Sequence, residues 1–124
     1  MLTAEAPLVL LQHGGLTNLR GKTGLAMLRY RRGPIVAVID PLQSGRSLRS
    51  ITGIERDVPV VGCLAEALPH RPEVAVVGLA PSGGRLPQDV RADLIAALEA
   101  GLSVASGLHD QLAQDPELTR LVQP

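Results

Sequence analysis

Residues 8–24 read LVLLQHGGLTNLRGKTG, four consecutive aliphatic residues running into a glycine-rich turn that closes on Gly21-Lys22-Thr23-Gly24. An aliphatic run without polar residues at alternate positions predicts a strand buried on both faces. Four further runs have the same character: Ile35–Ile39, Val58–Val61, Val74–Leu79 and Leu102–Ala105. Most are rich in Val and Ile and bounded by Gly, Pro or Asp, as strands between turns should be. Helix-period stretches separate them. The clearest is Pro87–Ala100, where Pro87 suits a first turn, Val90, Leu94, Ile95 and Leu98 form one stripe, and Gly101 supplies the stop. Lys22–Tyr30 carries Leu25, Met27 and Leu28, and Leu64–Leu68 predicts a short helix. Leu48, Ile51 and Ile54 fit one or two turns within Ser44–Ile54, and Asp110–Val122 predicts a last helix divided or restarted at Pro116.

Five strands alternating with helices imply a parallel sheet covered on both faces, a three-layer, doubly wound, Rossmann-like α/β fold. The commonest strand order for such a series is 3-2-1-4-5. It reverses the chain's direction between the first and fourth strands and opens a crevice beyond their carboxyl ends, where ligands bind. No linker, repeat or low-complexity segment interrupts residues 1–124, which read as a single domain.

With 124 residues and 45% apolar content, the chain is long enough to bury roughly two-thirds of its unfolded surface without staples. Twelve basic residues balance twelve acidic ones, and one Tyr stands without Trp or Phe. Neither a cationic surface nor stacking rings are available for nucleic acid, which argues against that partner. No apolar run reaches the roughly 18 residues of a membrane span, so the expectation is a soluble, cytoplasmic protein without a membrane partner. Eleven Arg against one Lys carry no functional weight, since genomic base composition explains them as well as heat adaptation does.

The two most glycine-rich loops follow the strands expected to flank the crevice. The first offers Gly14, Gly15, Arg20, Gly21, Lys22 and Thr23, and the second Ser82, Gly83, Gly84 and Arg85. Glycine lets a backbone approach a ligand closely, exposed N–H groups make anion sites, and the following helix points its positive end there. Tight turns need glycine for conformational reasons too, so both explanations stand. Gly21-Lys22-Thr23 matches the end of a phosphate-binding P-loop, yet five residues rather than four separate Gly15 from Gly21. The Gly-x-Gly-x-x-Gly dinucleotide fingerprint is absent after the first strand. Asp40 ends the second strand, where an acid either accepts from ribose hydroxyls or forms a turn before Pro41.

His109, beside the helix-capping candidate Asp110, is a candidate acid or base at the crevice rim, and His13 is a similar one next to Gly14. His70 reads as a surface residue and Cys63 as a small buried filler. Three scattered histidines and one cysteine show no metal-ligand spacing, and Ser82 and Ser106 have no adjacent histidine with which to form a triad.

Arg20-Gly21-Lys22-Thr23-Gly24 through Leu28-Arg29-Tyr30, Val36–Asp40, Val58–Val61 with Leu64–Leu68, Pro81–Pro87 and Ser106–Asp110 together resemble one bacterial and archaeal family, the domain of unknown function 1611. The resemblance spans nearly the whole chain. It implies an N-terminal Rossmann-like domain that normally precedes a larger P-loop domain, which this chain lacks, and a relation to D-glutamate N-acetyltransferases. The motif residues carried over are Lys22, Thr23, Asp40, Gly83, Gly84, Arg85, His109 and Asp110, with no catalytic role attached. The fold also looks distantly like the coenzyme A binding domain of acyl-CoA synthetases. The leading expectation is a domain that holds a phosphate- or carboxylate-bearing metabolite, such as CoA (with acetyl-CoA as cofactor) or a nucleotide, and is not catalytic alone. The alternatives are a structural or homo-oligomerising domain and a nucleotide- or NAD-binding enzyme domain.

Overall fold

The computed structural model describes residues 5–79 and 87–106. Its core is a five-stranded parallel sheet of order β3-β2-β1-β4-β5, formed by β1 (Leu8–Leu11), β2 (Ile35–Ile39), β3 (Val60–Val61), β4 (Val74–Val77) and β5 (Ser103–Ser106). The expected order is thus observed. Helix α1 (Lys22–Tyr30) follows β1, α2 (Leu48–Thr52) follows β2, α3 (Leu64–Ala67) follows β3 and α4 (Gln88–Glu99) follows β4. The expected last helix, at 110–122, lies outside the described residues.

Alternation along the strands divides the core into two layers. Val9, Leu11, Ala75 and Val77 pack with Leu64 of α3 and Val90 and Leu94 of α4. Leu8, Leu10, Val74 and Val76 face the other way, toward Leu28 of α1 and Leu48 of α2. Every residue of β1 is fully buried, as a central parallel strand requires. Beside it, the register of β2 slips at Val36, pairing Leu8 with Ile35 but Val9 with Ala37. That extra residue puts Ile35 and Ala37 into opposite layers although two positions separate them.

Three strand limits depart from the expectation. β3 spans two residues rather than Val58–Val61, because Pro59 makes an isolated antiparallel bridge with Ser47 instead of a parallel ladder. On the same side, the Gly45 N–H donates to the Val60 carbonyl at 3.0 Å, so the loop before α2 runs along this outer edge. β4 ends at Val77 because the Gly78 carbonyl turns to accept from the Gly24 N–H at 3.1 Å. β5 begins at Ser103, since the Leu102 N–H closes α4 by donating to Ala97.

Local signals account for the short helix α2. Ser47 caps it, its hydroxyl accepting from the Ser50 N–H at 3.1 Å, and Gly53 ends it at φ +79°. Cys63, expected to be a buried filler, is only half-buried and occupies the residue before α3. His70 is exposed, as expected.

Candidate functional site

The alternation that builds the core continues one or two residues past β1 and β2 and arranges the polar groups at the carboxyl edge. Gln12 follows Leu10 toward α1, His13 follows Leu11 toward α4, and Asp40 follows Val38 toward the α1 and α2 layer. Gln12 and Asp40 are fully buried. Sequence reading missed Gln12. Its Nε2 donates to the Gly21 carbonyl at 3.1 Å, while its Oε1 lies where a Cβ of Gly24 or Gly78 would stand. Four glycines of the crevice therefore close on one another: Gly15 against Gly21, and Gly24 against Gly78, with Gln12 between.

This packing changes the meaning of the first glycine loop. Gly15 donates to the Gln12 carbonyl, Gly21 to Asn18 and Gly24 to Gly78, while the Asn18 side chain bonds the Gly14 carbonyl and the Arg20 N–H. Gly15, Gly21 and Gly24 thus meet the demands of close internal packing, and Gly14 is needed at φ +91°. Two short 3-10 turns, Gly15–Thr17 and Leu19–Gly21, carry the chain to α1. The bond from Gly24 to Gly78 starts that helix at the carboxyl end of β4, beside the switch point between β1 and β4. Lys22, Thr23 and Arg20 are exposed there. Lys22 and Thr23 also line an open groove along α1 with Ala26, Met27, Tyr30 and Arg31.

Asp40 stands at the end of the adjoining strand. Its Oδ1 accepts from the Leu42 N–H at 3.0 Å, the turn role that is one of its two readings, and its buried Oδ2 has no partner among the described residues. Leu42 is 79% exposed, with its side chain beside Gly14. On the opposite face, His13 Nε2 meets Asp93 Oδ2 at 2.7 Å, and Asp93 Oδ1 accepts from the Leu64 N–H at 3.0 Å. Asp93 too was missed, although it occupies the Val90, Leu94, Ala97 stripe, where a charge in an apolar row is itself a signal. Ser82, Gly83, Gly84, Arg85 and His109, the remaining candidates, lie outside the described residues. Among the described residues, no three His, Cys, Asp or Glu side chains converge as metal ligands, and no helix is long and apolar enough to cross a membrane.

A five-stranded parallel sheet with a 3-2-1-4-5 order and helices on both sides defines a Rossmann-like domain. The chain belongs to the family described as Domain of unknown function (DUF1611_N) Rossmann-like domain, whose model matches residues 41–124. A crystal structure of a DUF1611 family protein from Anabaena variabilis is similar over 99% of this chain and 35% of its own, at 49% identity and a TM-score of 0.90. A D-glutamate N-acetyltransferase of Tritonibacter scottomollicae is 37% identical over 60 residues, 48% of this chain and 18% of that protein. The amine dehydrogenase of Mycobacterium smegmatis shares the fold at 23% identity and a TM-score of 0.61, over 93% of this chain and 35% of its own. The chain thus spans about a third of the length of the two solved structures and under a fifth of the curated relative.

Proposed function

We propose that the chain is the ligand-binding domain of an N-acetyltransferase-type protein, and that its carboxyl-edge crevice holds a phosphate- or carboxylate-bearing metabolite such as CoA or a nucleotide. Asp40 carries this reading. A buried carboxylate oxygen without a donor is costly, and such groups in native proteins normally meet a hydrogen-bond partner. Here that oxygen stands on the strand next to the switch point, where an acid accepts from ligand hydroxyls. Lys22, exposed at the start of α1, supplies the positive charge for phosphate or carboxylate. The sequence relation to a D-glutamate N-acetyltransferase supports the reaction class.

A thermal-shift series with CoA, acetyl-CoA, ATP, NAD and D-glutamate tests the reading. A ligand at 100 times its Kd stabilises a domain by about 2.7 kcal/mol, roughly a 10 °C rise in Tm at this chain length. Flat melting temperatures throughout overturn it. Lys22→Glu is expected to abolish the shift given by the anionic ligand while changing the ligand-free Tm little, because Lys22 is exposed. Equal shifts in both proteins remove Lys22 from the site. Asp40→Asn is expected to weaken a hydroxyl-bearing nucleotide about tenfold, as titration calorimetry would show.

A further inference from the structure

We infer that His13 is a ligand-contacting residue whose Nδ1 accepts from an ammonium group, with Asp93 as its positioning residue. Asp93 Oδ2 at 2.7 Å is an acceptor, so His13 Nε2 must carry the hydrogen of that contact. In the neutral ring this leaves a lone pair on Nδ1, which is buried and has no partner among the described residues. Asp93 cannot swing away, because the Leu64 N–H holds its other oxygen at 3.0 Å and thereby ties α3, α4 and β1 together. The His13 backbone sits at φ +39°, a conformation strained for a residue with a Cβ and one that clusters at functional sites.

The electrostatics select the kind of donor. Asp93 is held against the Nε2 side of the ring, so the His13–Asp93 pair with a neutral imidazole carries a negative charge. An anion at Nδ1 would be repelled; an ammonium is attracted, and its N–H meets the vacant lone pair. From that contact a proton passes from the ammonium nitrogen to Nδ1. The products are a neutral amine, whose electron pair is free, and an imidazolium stabilised by Asp93. The His13 side chain is 1% exposed, so bulk water does not compete for Nδ1.

This inference rests on the proposed ligand site and specifies its amine half. The test is nitrogen-15 NMR of the imidazoles in the full chain, with D-glutamate and its amine-free analogue glutarate as probes and His13→Gln giving the assignment. The free protein is expected to show His13 protonated on Nε2 and bare on Nδ1. D-Glutamate should move the Nδ1 resonance while glutarate leaves it in place, and Asp93→Asn should weaken D-glutamate about tenfold and release the tautomer. If His13→Gln does not fold, assignment through bonds in the wild-type protein serves instead. If a nucleotide or CoA binds but D-glutamate leaves His13 unmoved, or glutarate acts equally, the ammonium contact is wrong and the ligand site stands. If none of these compounds binds, both fall.

Discussion

Gly24→Ala is expected to destabilise the domain by about 2–3 kcal/mol, although alanine ordinarily improves a helix interior by roughly 1 kcal/mol. The sign reverses because the new Cβ would overlap the Gln12 side-chain amide, itself fully buried and bonded to the Gly21 carbonyl. The cause can be isolated by a double-mutant cycle. The three atoms nearest that Cβ all belong to Gln12, so in a Gln12→Ala background Gly24→Ala should be far less costly, neutral or stabilising. Gly78→Ala should remain destabilising in both backgrounds, since its Cβ would also lie 2.7 Å from the Gly24 backbone. Urea unfolding midpoints of the single and double variants decide the matter; additive losses at Gly24 and Gln12 would refute the arrangement.

Arg56→Met is expected to cost about 3 kcal/mol, because a charged donor loses two close hydrogen bonds and a third, longer one at 3.4 Å. The guanidinium donates Nη1 to the Arg31 and Leu28 carbonyls and Nη2 to the Gly33 carbonyl, closing the end of α1 and the chain leading to β2. Burial, then the like charge of Arg31, holds this group below the ordinary arginine range. The carbonyls that it reaches hold it in place against those costs. Lysine should not rescue the loss, because one ammonium cannot reproduce a planar fork across carbonyls on different residues. Amide exchange should quicken selectively at the end of α1 in Arg56→Met, and an unchanged unfolding midpoint would contradict this role.

The fold was legible because strands buried on both faces leave uninterrupted aliphatic runs, and β1 and β2 announce themselves in this way. α1 was as clear, with the limits Lys22–Tyr30 found in the structure. The shortened β3 was not, because its bridge to Ser47 and the Gly45 bond are tertiary contacts with no mark in the local pattern. At the site, Asp40 and Lys22 could be found from type and position. Gln12 could not, because its burial depends on three glycines arriving from two other segments. The glycines themselves were visible, but not their close approach to other protein atoms: Gly15 and Gly21, both ligand candidates, meet one another, and Gly24 meets Gln12.

The covered flank of β3 also bears on self-association. Open-ended stacking of sheets needs two free margins per molecule, one to give and one to receive. Here Gly45 already bonds the Val60 carbonyl and Ser47 bridges Pro59, so the β3 margin has lost part of what a neighbouring strand would pair with. A second copy therefore cannot lengthen the sheet by pairing with β3 unless Gly45 and Ser47 first give up these contacts.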